Sequence, residues 1–232
     1  MFNRITKLTL AAMMLLSLTF IGCSDDDDEN IMGNTAATAN VLIVHASPDA
    51  PGVDIIVDNA GPAVSNLEFP TNTGYVPLPT GTRNVKVNVF NTSTTVIEAN
   101  LDLSANTNYS VFAIDSVSSI EPLVLVDDLT APASGKTHVR FVHLSPDAPP
   151  VDIAVKDGPV VFSEVSFRGF ESFTQLDAGT YNLEVRLANT MTTVLPLGDI
   201  TLEAGTIYTV FAKGFVGGTG AQALGAEIIV NN

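Results

Sequence analysis

Cysteine occurs once in the 232 residues, histidine three times and tryptophan not at all. A single thiol forms no disulfide within the chain, so an exported domain here has to be held together by its core. Without tryptophan an indole stacking platform for sugars is excluded, which leaves tyrosine or phenylalanine for that role. Basic residues are scarce too: 10 Lys+Arg against 25 Asp+Glu give a net charge of −15. Such a surface repels phosphate backbones and argues against nucleic acid as a partner. Long Ala/Glu/Lys/Leu stretches are missing, whereas valine, threonine and asparagine recur, a balance that favours strands and turns over helices. What is present is 46% hydrophobic, enough for packed cores and against global disorder.

The first 22 residues have the layout of an export signal. Arg4 and Lys7 form a basic start, and Leu8 to Ile21 is an uncharged, mostly apolar run of 14 residues, too short to cross a bilayer core of about 30 Å as a helix. Phe20-Ile21-Gly22-Cys23 follows and resembles the lipobox of bacterial lipoproteins, in which the cysteine is acylated and becomes the new N-terminus. Phe20 departs from the leucine that is commonest there. Cys23 is thus the expected lipid attachment site. Loss of Arg4 and Lys7 with the leader would carry the net charge to −17. Ser24-Asp25-Asp26-Asp27-Asp28-Glu29 comes next, a run of like charges that repel one another and extend the chain. It resembles the acidic export signal of cell-surface lipoproteins in Bacteroidetes-type bacteria. Residues 23–39 therefore read as a lipidated acidic tether, and the expected location is the outer membrane at the cell surface.

Beyond residue 39 the chain repeats itself. Val41 to Val57 and Val139 to Val155 are identical at 12 of 17 positions. The correspondence continues through Gly61-Pro62 with Gly158-Pro159, Gly81-Thr82 with Gly179-Thr180, and Tyr109 to Ala113 with Tyr208 to Ala212. A period near 98 residues is too long for a solenoid unit and suits tandem domains. Val85, Val87 and Val89 alternate with Lys86 and Asn88, as Leu183, Val185 and Leu187 alternate with Glu184 and Arg186; this is the period of a half-buried strand. Turn residues every 8 to 12 positions separate about seven strands per repeat. The expected fold is all-β: two tandem antiparallel β-sandwiches, immunoglobulin-like or transthyretin-like, over residues 40–129 and 137–232, joined by a linker at 130–136. Leu202 to Tyr208 reads as the approach to a tyrosine corner.

The sharpest local motif is His-x-Ser-Pro-Asp-Ala-Pro, at His45 to Pro51 and His143 to Pro149. Pro48 suits the second position of a tight turn, with Ser47 and Asp49 able to bond local backbone. Val41, Ile43 and His45 share one strand face, as do Val139, Phe141 and His143; on the other face Leu42 gives way to Arg140, so that face is expected to meet solvent. The histidines then sit near Asp49 and Asp147. The bland reading is a histidine tying the turn to its strand. The functional reading makes His45, Ser47, Asp49, His143, Ser145 and Asp147 the candidate loops of a hydrolase or cation site. A relay is hindered because residues two apart on a strand cannot readily line up, and no nucleophile elbow accompanies them. No metal site and no cofactor is expected, since each repeat offers too few convergent ligands.

The duplicated V-x-x-x-H-x-S-P-D-A-P-x-V-D block, with Leu176 to Tyr181 and Leu202 to Ala212, resembles the bacterial domain of unknown function 4397. The first copy departs with Arg83 in place of Tyr181 and Asn106 in place of Gly205. The resemblance implies exported, often lipid-anchored β-domains and carries no catalytic residue to transfer. The expected function is a non-enzymatic binding or structural module, with an extracellular protein or glycan as partner and the membrane contacted through the lipid. The rivals are an envelope hydrolase or accessory enzyme and a divalent-cation-binding surface domain.

Overall fold

The structure, a computed structural model, describes residues 37–232; the expectations for the leader, Cys23 and the acidic run lie outside the described residues. Sixteen strands follow in two sets of eight. In the first repeat these are β1 (Thr38–His45), β2 (Val53–Val57), β3 (Pro62–Leu67), β4 (Asn72–Pro79), β5 (Gly81–Val89), β6 (Thr95–Leu103), β7 (Asn108–Ile114) and β8 (Glu121–Asp127). The second repeats them as β9 (Lys136–His143), β10 (Val151–Val155), β11 (Val160–Val165), β12 (Thr174–Asp177), β13 (Gly179–Leu187), β14 (Thr193–Leu202), β15 (Ile207–Lys213) and β16 (Gly225–Val230). Eight strands replace the seven expected. Among them is a polar edge strand, Pro62-Ala63-Val64-Ser65-Asn66-Leu67 in the first copy, whose proline and lack of alternation suit a sheet margin. No helix among the described residues is long and apolar enough to cross a membrane.

Each repeat is a sandwich of two four-stranded sheets, and the strand orders match: β4-β1-β7-β8 over β3-β2-β5-β6, and β12-β9-β15-β16 over β11-β10-β13-β14. One pairing in each sandwich departs from the antiparallel expectation. β1 runs parallel to β7, and β9 parallel to β15. Parallel neighbours need a long connection, and here it runs through the other sheet's β2, β3, β5 and β6 and through the edge strand β4, as it does through β10 to β14 in the second copy. Val41, Ile43, Val53, Val87 and Val111 fill the first interior; Val139, Phe141, Ile153, Val185 and Val210 fill the second.

A third core joins the repeats. Leu42, Val44, Phe112 and Ile114 of the first copy meet Val142, Leu144, Phe211 and Ile229 of the second, and the Phe112 and Phe211 rings cross edge-to-face at 6.1 Å. The inner sheets β4-β1-β7-β8 and β12-β9-β15-β16 therefore face each other. This overturns the expectation that the Leu42/Arg140 face meets solvent: Leu42 is 1% and Arg140 2% exposed. The physical reason is visible in Val41-Leu42-Ile43-Val44, a continuous apolar run, because a strand covered on both faces has no wet side to alternate towards.

Arg140 is accommodated in that core by a closed ring of hydrogen bonds. Its Nη1 donates to Asp127 Oδ1 at 2.6 Å, its Nη2 to Ser110 Oγ at 2.8 Å and its Nε to Thr209 Oγ1 at 2.8 Å. Thr209 donates on to Asn231 Oδ1 (2.7 Å), Asn231 Nδ2 to the Tyr75 phenol (3.1 Å), and Tyr75 to Asp127 Oδ2 (2.5 Å). Ser110 closes a shorter path to the same Oδ2 at 2.7 Å, and the Arg140 guanidinium stacks 4.5 Å from the Phe173 ring centre. Burial, reinforced by Asp127, pushes the Tyr75 phenol well above its ordinary pKa, so it stays a donor. Every charge in this core is paired, the condition for burying one at all.

Candidate functional site

The two His-x-Ser-Pro-Asp loops sit where β1 and β9 leave their sheets. His45 ends β1, Pro48-Asp49 form the turn, and β2 starts at Val53. The His45 ring nitrogen Nε2 lies 3.0 Å from the Pro51 carbonyl, and His143 Nε2 lies 3.2 Å from that of Pro149. A carbonyl only accepts, so Nε2 carries the proton in both rings and Nδ1 keeps a bare lone pair. Both Nδ1 atoms are buried without a partner, and both residues are 0% exposed. Burial lowers both imidazole pKa values, against a smaller opposing effect of the proline carbonyls. These are neutral, sealed rings.

The carboxylates point elsewhere. Asp49 Oδ1 accepts from the Val117 amide at 2.8 Å, and Asp147 Oδ1 from the Val216 amide at 2.9 Å. Each aspartate thus stitches the first turn of its repeat to the loop after β7 or β15. The serines are buried: Ser145 donates to the Gly214 carbonyl at 2.6 Å, and the Ser47 hydroxyl lies buried without a partner. The structure brings His, Ser and Asp into one loop but engages the histidine and aspartate with separate backbone groups. Among the described residues no three or more histidine, cysteine or carboxylate side chains converge as a metal ion would require.

A residue of the same block that the sequence did not single out does comparable work. Asp54 sits on the outer face of β2 and accepts from Ser65 Oγ (2.7 Å), the Asn66 amide (3.0 Å) and the Asn91 amide (3.0 Å). Asp152 accepts from the Glu164 and Asn189 amides at 2.7 and 2.9 Å. Asn66, Asn91, Glu164 and Asn189 all have φ between 51° and 59°, an uncommon conformation for a residue with a side chain. The aspartate pins two such turns at once. The Ser65 bond, then the two amides, hold the Asp54 carboxyl below the usual carboxylate range. The clue in sequence was an acid at the same place in both Val-Asp-Ile segments, on a strand whose other residues are apolar.

Two apolar cavities among the described residues are small. The first sandwich holds an apolar cavity of about 30 Å³ bordered by His45, and the second one of about 150 Å³ lined by residues such as Phe141, Phe162 and Leu197. Both fall below the roughly 300 Å³ at which drug-sized ligand pockets begin.

The family model for the domain of unknown function DUF4397 matches residues 39–154 and again residues 151–231. No curated protein matches the chain. Among solved structures, the C-terminal domain of AlgF from P. aeruginosa is similar at 20% identity and a TM-score of 0.32, covering 41% of this chain and 98% of that one. The Bacillus anthracis TIE protein is similar at 13% identity and a TM-score of 0.24, covering 76% of this chain and 34% of that one.

Proposed function

The chain belongs to the DUF4397 family, and on that premise we propose that it is a lipid-anchored outer-membrane protein, displayed at the cell surface, whose paired sandwiches act as a non-enzymatic binding or structural module. The observation that carries the module reading is the use of the duplicated motif. Its histidines are sealed against proline carbonyls and its aspartates hold backbone amides in the next loop. Residues so engaged lock turns, and a reactive group has to be reachable. The anchoring reading is supported by Cys23 at the end of a 14-residue apolar run and by the acidic stretch behind it; each buried methylene of an acyl chain contributes about 0.8 kcal/mol to membrane attachment. The partner is an extracellular protein or glycan.

Two measurements test the two halves separately. Replacing Cys23 by alanine should move the protein from the membrane fraction to the soluble fraction and remove it from surface-accessible proteolysis of intact cells; unchanged fractionation refutes the anchor. Binding of the mature protein to a glycan and protein array tests the module. Reproducible substrate turnover that His45→Asn or His143→Asn abolishes, with the melting temperature retained, would replace the module with an enzyme.

A further inference from the structure

We infer that the inner face of each repeat is an interface selective for the other repeat: the β4-β1-β7-β8 face accepts a sheet carrying an arginine at the Arg140 position and rejects a second copy of itself. The two faces are related by the duplication. Leu42 stands beside Ser110 on β1 and β7, and Arg140 beside Thr209 on β9 and β15. Asp127 lies one residue beyond the partner of Tyr109, and Asn231 one beyond the partner of Tyr208. Tyr75 is paired across from Leu42, and Phe173 lies over Arg140.

Equivalent positions thus read Leu42, Tyr75, Ser110 and Asp127 on one side, and Arg140, Phe173, Thr209 and Asn231 on the other. Set against each other they complete the ring, with one cation, one anion and a donor for every acceptor. Two first-repeat faces would bury two Asp127 carboxylates against leucines with no cation. Two second-repeat faces would bury two guanidiniums against asparagine amides with no carboxylate. Around the ring Val44 matches Val142 and Phe112 matches Phe211, which attract like to like as readily as like to unlike, while Ala46 against Leu144 and Ile114 against Lys213 add a smaller difference at the rim. The polar difference carries most of the choice, by making the wrong pairs leave charges desolvated and unpaired. The face is satisfied within one chain, so a second copy of the protein gains nothing by docking there.

The test keeps the full chain. A protease site is inserted between Thr130 and Ser134, in the segment joining β8 and β9, and the folded protein is cut there. The halves should stay together at micromolar dilution by size-exclusion chromatography, and native mass spectrometry should show unlike pairs in at least about a thirtyfold excess over like pairs. R140L should separate the cut halves. D127N/R140L, which makes the ring positions of the two faces nearly alike, should restore association and bring the ratio of unlike to like pairs close to statistical. If R140L alone gives no folded chain, the double variant decides: retained selectivity overturns the inference. Cut wild-type halves that drift apart, or that form like pairs freely, overturn it as well.

Discussion

At the scale of single residues, the acids of this chain divide into those that solvate it and a few that hold it together. Asp152 is of the second kind, since the Glu164 and Asn189 amides it accepts belong to residues at positive φ that need an anchor. Asp152→Ala should destabilise the protein by about 1–3 kcal/mol, the cost of leaving such donors without a partner, as read by urea unfolding. Asp54→Asn should act in the same direction, and its effect should vanish at pH values low enough to protonate the carboxyl. Tyr208 offers a milder case. Its phenol oxygen accepts from the Glu203 amide at 3.1 Å, as that of Tyr109 does from Ser104; this is the corner that Leu202 to Tyr208 suggested in sequence. Tyr208→Phe should cost about 1 kcal/mol and leave the circular-dichroism spectrum unchanged.

At the scale of elements, period and turn chemistry revealed the outer strands best. Val85-Lys86-Val87 alternates because Val85 and Val87 pack into the interior while Lys86 on the other side is half-exposed; Asn88, on that same side, is buried with its Oδ1 accepting from Thr95. The same template misread β1 and β9, where Arg140 among apolar residues looked like the mark of a solvent face. The ring partners of that arginine lie at Ser110, Asp127 and Thr209, too far along the chain for any local pattern to announce them. The parallel pairing of β1 with β7 was equally hidden, since alternation shows a strand without naming its neighbour. The loop after β15 offers a test at this scale. Gly214 has φ of 79°, and a Cβ there would lie 2.2 Å from the Ala223 carbonyl oxygen; Gly217, at φ 76°, has open space around it. Gly214→Ala should therefore cost well over 2 kcal/mol, through backbone displacement in addition to the strained dihedral, and Gly217→Ala only about 1 kcal/mol. Equal losses in thermal unfolding would mean that the β15–β16 connection does not pack as described.

At the scale of the whole molecule, the duplication places two sealed imidazoles in symmetric positions, and their protonation should be felt as one effect on stability. Burial sets the folded pKa of His45 and His143 below the ordinary 6.5. The unfolded chain therefore binds more protons than the folded one between those values. Stability is then highest above pH 6.5, falls as the pH drops below it, and levels off once the folded state also binds protons. Each histidine can contribute a slope of at most about 1.4 kcal/mol per pH unit. The carboxyls of Asp54 and Glu184 are held below their ordinary values by hydrogen bonds, from Ser65 in the first case and Arg186 in the second. Their stabilisation is present above pH 4.5 and is lost as the pH falls through their folded values, which separates the two losses in pH. His143→Gln keeps a donor for the Pro149 carbonyl but cannot titrate, so it should reduce the loss between pH 6.5 and pH 5 while leaving the loss below pH 4 in place. Urea midpoints measured across that range, at constant ionic strength, give both slopes in one series. A profile flat down to pH 4 in the wild-type protein would mean that the imidazoles are hydrated and that the loops joining the sheets are open.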